Sequence, residues 1–120
     1  MVNRLVQIGL VLLATAGCTD KREAPSQSAG DLMLSPELAA GQELVKANCF
    51  VCHAQGINGA PIIGNLKMWG PRVGQGEQVL VEHAFNGYNL MPAKGGNEAL
   101  GKEDIRLAVR FMLSQLPDTH

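Results

Sequence analysis

The segment NCFVCHAQG, residues 48–56, sets Cys49 and Cys52 three positions apart and puts His53 directly after the second thiol. Four chemistries use such a cluster. A redox-active CxxC of the thioredoxin type needs a βαβ setting, and no such pattern surrounds it. A zinc site needs four ligands, so His83 or His120 would have to join Cys49, Cys52 and His53. A structural disulfide between Cys49 and Cys52 would close a small, strained ring. The fourth is the Cys-x-x-Cys-His attachment signature of c-type haem, and it uses every residue of the cluster. Two sulfurs one helical turn apart add across the two vinyl groups, and the adjacent imidazole, His53, becomes the proximal iron ligand.

A second axial ligand must come from elsewhere in the chain. The candidates are Met33, Met68, Met91, Met112, His83 and His120. Met91 lies in a loop with Pro92 beside it and Gly95-Gly96 following, a rigid frame for presenting a thioether. Met112 falls on an apolar helical stripe and reads as core. Met68 precedes Trp69, Met33 lies in a polar lead-in segment, and His83 reads as a core or partly exposed helix residue. A thioether opposite an imidazole favours ferrous iron and raises the potential. With both axial positions filled, transfer of single electrons is expected rather than oxygen chemistry.

The elements that must hold these groups are short. Ser35-Pro36-Glu37 starts a helix with a capping hydroxyl, a proline at the first position and an acid in the first turn. Leu38, Gly41, Leu44 and Val45 continue it into Asn48-Cys49. Residues 54–76 hold six glycines and two prolines and read as one long irregular loop. A loop of that length in a compact domain is expected to wrap something. Residues 77–85 form a short helix stopped by Gly87. The segment NGYNLMPAKGGN is a second glycine-rich loop. Ile105, Ala108, Val109, Met112 and Leu113 give the last helix a single apolar stripe, with Gly101 at its start and Pro117 at its end. Nothing alternates long enough for a strand. The expected fold is all-α, with short helices and long loops around an organising group.

Composition agrees. Of 120 residues, 46% are hydrophobic but only 4% aromatic, too few for a small core to complete itself. The net charge is −1 and no basic run exists, which excludes a nucleic-acid binder. Residues 1–17 read as a signal peptide, with Arg4 ahead of an apolar stretch too short to span a bilayer. TAGC, ending at Cys18, resembles a bacterial lipoprotein box, with Thr15 where leucine is usual; ATA, residues 14–16, is an alternative cleavage site. A lone thiol is a liability in an oxidising compartment, so a lipid anchor at Cys18 is the expectation, with residues 18–34 as a tether and 35–120 as the folded domain.

The order CxxCH, loop proline, methionine loop and terminal helix resembles the class I c-type cytochromes, and the segments CFVCHAQGINGAPIIGN, WGPR, EHAFNGYNLMPAKGGN and LAVRFML are similar to the cytochrome c5 family. The resemblance spans residues 35–116. It implies that Gly41 and Phe111 meet where the first and last helices cross, and that Pro61 supplies a carbonyl to the haem histidine. It also implies that Trp69 and Arg72 line the haem edge, with Arg72 reaching a propionate. Val45 departs from the family, which usually carries an aromatic there, and predicts a looser crossing. The cofactor set is one haem c, bound by Cys49, Cys52, His53 and Met91 with Pro61, Trp69 and Arg72 around it. The expected protein is a monomeric electron carrier on the periplasmic face of a bacterial membrane, or soluble in the periplasm, serving redox proteins of an electron-transport chain and catalysing no reaction itself. The alternative is a haem-bearing electron-entry subunit of a larger oxidase, reductase or dehydrogenase.

Overall fold

The computed structural model describes residues 34–118. The expected signal peptide, both cleavage sites, Cys18, Met33, His120 and all of the tether except Leu34 lie outside those residues. Helix α1 spans Pro36–Asn48. Its first turn is capped by Ser35, whose Oγ accepts from the Leu38 N–H at 3.3 Å, and Pro36 gives up no hydrogen bond at a position where the N–H has no partner within the helix. A one-turn helix α2, Phe50–His53, follows directly. Then come α3, Leu66–Val73, α4, Glu77–Asn86, and α5, Lys102–Ser114. Among the described residues there is no strand; an isolated antiparallel bridge joins Tyr88 and Met91.

Helix α3 corrects the reading of residues 54–76 as one irregular loop. Asn65 starts it, its side chain accepting from the Met68 N–H at 3.1 Å. Leu66 to Trp69 give enough of a turn to bury the indole, which is 5% exposed. Gly70 and Pro71 mask this helix in the sequence because both are poor helix formers. Pro71 removes one backbone bond, and the helix ends two residues later at Val73.

Helices α1 and α5 cross at Gly41. A Cβ added there would lie 2.3 Å from the Leu107 carbonyl oxygen and 2.9 Å from Phe111 Cβ, so only glycine permits this approach. The looser crossing expected from Val45 is not found. Val45 is 1% exposed, the most completely buried hydrophobic side chain of the core, because the small residues let the backbones close up around it. In α5, Ile105, Ala108, Val109 and Met112 are buried as the stripe predicts, and Phe111 joins them at the crossing. Asp104 caps the start of α5, its Oδ2 accepting from the Gly101 N–H at 2.8 Å. Regular helix stops at Ser114, short of Pro117. No helix among the described residues is long and apolar enough to cross a membrane.

Candidate functional site

The end of α1 delivers the cysteine pair. The Cys49 N–H still bonds to the Val45 carbonyl (2.9 Å), and the His53 N–H bonds to the Cys49 carbonyl (3.0 Å). Cys49, Cys52 and His53 therefore occupy positions i, i+3 and i+4 of one helical turn, on a common face. No disulfide joins the two thiols. Burial, followed by the neighbouring Cys52, pushes the Cys49 thiol up to about 11, whereas Cys52 is exposed.

His53 is 7% exposed and its ring is fixed. Nδ1 lies 2.9 Å from the Pro61 carbonyl oxygen. A carbonyl can only accept, so Nδ1 carries a proton, and in the neutral ring Nε2 is the nitrogen with the free lone pair. The same short segment holds His53 and Trp69 from two further points. The Ile63 N–H donates to the His53 carbonyl at 2.9 Å, and the Trp69 indole N–H donates to the Ile62 carbonyl at 2.9 Å. The His53 and Trp69 ring centres are 6.3 Å apart. Residues 61–63 thus serve as a backbone rail for both rings, with Pro61 restricting its conformation.

Met91 closes a tight turn. The Tyr88 N–H donates to the Met91 carbonyl at 3.0 Å, and the Met91 N–H to the Tyr88 carbonyl at 2.9 Å. Gly87 makes this turn possible: its φ is +89°, and a Cβ there would lie 3.0 Å from the Ala93 nitrogen and 3.2 Å from the Met91 carbonyl oxygen.

All seven residues expected at the site line one cavity of about 630 Å³: Cys49, Cys52, His53, Pro61, Trp69, Arg72 and Met91. Its inner wall is the core itself, including Leu80, Ile105, Val109 and Met112. Of the other axial candidates, His83 and Met112 also line the cavity and Met68 does not. Met112 is 4% exposed and packed in the core cluster. Among the described residues, no aspartate or glutamate lines the cavity. Arg72 is half-buried there, donates to the Met68 carbonyl and pairs with no carboxylate among the described residues.

Sequence reasoning did not foresee the rest of this wall. The His83 and Tyr88 rings stack at 4.0 Å with 15° between their planes, and both line the cavity. Lys94 also lines it, with its ammonium 4.9 Å from the centre of the Phe85 ring and 3.3 Å from a Glu98 carboxylate oxygen. His83 and Tyr88 are five positions apart and on different elements, so no periodicity joins them. Gly95-Gly96 after Lys94 was the available sign of a tightly folded turn.

This donor set suits haem c: two unpaired thiols on one helical face, an imidazole with one nitrogen anchored and the other bare, a thioether, and an unpaired guanidinium in a wall without carboxylates. Fold and cavity together define a class I c-type cytochrome, a monohaem electron carrier with covalently attached haem. The chain belongs to the family described as cytochrome c oxidase, cbb3-type, subunit III, whose model matches residues 36–112. It is 40% identical to cytochrome c-555 of Chlorobaculum tepidum over 83 residues, covering 66% of this chain and 77% of that protein. It is 29% identical to cytochrome c5 of Ectopseudomonas mendocina, covering 61% and 86% respectively. A chain in a crystal structure of an electron transfer complex of nitrite reductase with cytochrome c aligns with a TM-score of 0.62 at 35% identity. That alignment covers 69% of this chain and 98% of the other.

Proposed function

We propose that Cys49 and Cys52 would hold the haem as thioethers and that His53 Nε2 and the Met91 sulfur would ligate its iron. The observation that carries this reading is the single cavity into which α2 and the Tyr88–Met91 turn both open. When bound, haem c supplies an iron that takes up and releases one electron at a time. The chain's own residues do the rest. Pro61 holds the His53 proton on Nδ1 and so keeps Nε2 free to ligate. Its hydrogen bond raises the basicity of the imidazole. Trp69 and the buried face of α5 keep water from the inner wall, and Arg72 offers its guanidinium to a carboxylate of the cofactor.

Electrons pass to and from other redox proteins. A nitrite reductase, the partner in the solved complex named above, exemplifies the class. Exposed apolar residues that also line the cavity, Ile57, Tyr88 and Leu90, give a partner a small, uncharged landing patch. Such encounters are weak and bury little area. The protein works as an exported monomer, held at the membrane by lipid on Cys18, and turns over no substrate of its own. The family description favours a second reading, a haem-bearing subunit of an oxidase. The two separate on solubilisation: a free carrier leaves the membrane as a lone haem protein, and a subunit stays with its complex. Mass spectrometry of the mature N-terminus tests the lipid.

The decisive experiment is a spectrum of the purified protein, reduced and oxidised, with a pyridine haemochrome assay. Two thioether links and a far-red sulfur-to-iron band in the oxidised form are expected, and Met91→Ala removes that band. A band unchanged in Met91→Ala would overturn the Met91 assignment.

A further inference from the structure

Two asparagines join the cysteine side of the cavity to the methionine side. Asn48 is the last residue of α1 and directly precedes Cys49. Asn97 follows the Ala93–Gly96 turn, six residues after Met91. Asn97 Nδ2 donates to Asn48 Oδ1 at 2.8 Å, in a part-buried setting and across 49 residues of sequence. Both amides use their other ends. Asn48 Nδ2 donates to the Leu44 carbonyl at 3.0 Å, and Asn97 Oδ1 accepts from the Ala99 N–H at 3.1 Å. The orientation of each amide is therefore set by its second partner. The backbones close on each other at the same place. Gly95 has φ +64°, and a Cβ there would lie 3.3 Å from the Asn48 carbonyl oxygen.

We propose that Asn48 and Asn97 form a latch that holds the Met91 loop across the haem cavity, so that Asn97 is a positioning residue for the sixth ligand. The inference rests on the reading of Met91 as that ligand. No other side-chain hydrogen bond links the loop 87–97 to α1 or α2 among the described residues. With haem bound, drawing Met91 out of the cavity would lift the end of its loop from α1 and break this bond. Closing the loop restores it. The latch therefore weights the equilibrium between a thioether-ligated and an open iron without touching either ligand.

The two amides make an unusually clean test, because the same chemical change acts oppositely at the two positions. Asn97→Asp keeps the acceptor for the Ala99 N–H but loses the donor to Asn48. The carboxylate then faces Asn48 Oδ1, and turning the Asn48 amide over only sets that oxygen against the Leu44 carbonyl. Asn48→Asp keeps an acceptor for Asn97 Nδ2 and so keeps the latch, while losing the bond to Leu44. Each substitution adds one negative charge at nearly the same place.

Imidazole, titrated against the oxidised holoprotein, displaces the thioether and reports loop opening. Asn97→Asp should bind imidazole roughly tenfold more tightly than the parent, the size expected for losing one part-buried hydrogen bond from the closed state. Asn48→Asp should stay within about twofold of the parent, whatever its denaturation midpoint. Equal imidazole affinity in the parent and Asn97→Asp overturns the latch, as does equal tightening in both variants, which would mark a charge effect. If the parent lacks a sulfur-to-iron band, the Met91 reading itself has failed, and that outcome is separate from failure of the latch.

Discussion

At the residue scale, the haem cavity is organised by main-chain carbonyls as much as by side chains. Pro61 and Ile62 carbonyls accept from His53 and Trp69, so the two rings share one backbone rail. Trp69→Phe keeps most of the apolar bulk but leaves the Ile62 carbonyl without its indole donor in a buried place. A loss of roughly 1–3 kcal/mol in unfolding free energy is expected, measured by denaturant titration of the oxidised protein. Substituting Pro61 by alanine preserves the carbonyl that holds His53, so haem attachment should survive, with a smaller stability loss from the freer backbone. Haem content per chain and the denaturation midpoint check this together. Arg72 is a different case. It pairs with no carboxylate among the described residues, and on the proposed reading its charge faces the cofactor, so Arg72→Gln should lower the reduction potential, read by redox titration, because a nearby cation favours the ferrous state.

At the element scale, the α1/α5 crossing supports the cysteine turn. Helix α1 runs straight into Cys49, and α5 forms the inner wall of the cavity. A methyl group at Gly41 would collide with the Leu107 carbonyl, which is backbone and has no rotamer to yield. Gly41→Ala should therefore cost about 1–3 kcal/mol and lower the melting temperature, as overpacking does elsewhere. The reading of α5 from its apolar stripe was sound because a 3.6-residue period survives in a helix with one face buried. Helix α3 was hidden for the opposite reason. It is short, it carries Gly70 and Pro71, and its stability comes from burying Trp69 and from the Asn65 cap rather than from propensity.

At the scale of the whole molecule, the ion pairs that tie α1, α4 and α5 together lie away from the cavity. Glu37 of α1 bonds to both Arg106 and Arg110 of α5, Arg110 also meets Glu77 of α4, and Lys102 meets Glu82. Exposed pairs of this kind contribute little individually, but they share partners across three helices. Their pH dependence has a definite sign. Hydrogen bonds from Arg106 and from Lys102 hold the Glu103 and Glu82 carboxyls below the value of 4.5 that serves as their unfolded reference. As pH falls through that value the unfolded chain takes up protons before the folded one, so stability declines toward acid and is fully present above it. Glu103→Gln and Glu82→Gln should each lower the denaturation midpoint slightly at pH 7, where the carboxylate's contribution is fully present, and meet the parent's below about pH 3, so the fall between about pH 5 and 3 is flatter.

The cofactor class and the residues proposed to hold it were legible in local sequence alone, because Cys49, Cys52 and His53 are set by spacing within a single helical turn. The tight turn that carries Met91 to the cavity was legible too, since proline and glycine fix a backbone over a few residues. What only the tertiary structure decided is everything that joins distant segments: the rail under His53 and Trp69, the carboxylate-free wall, the His83–Tyr88 stack and the bond from Asn48 to Asn97. Those contacts depend on where separate elements come to rest, and that is settled by packing of the core, which no short stretch of residues encodes on its own.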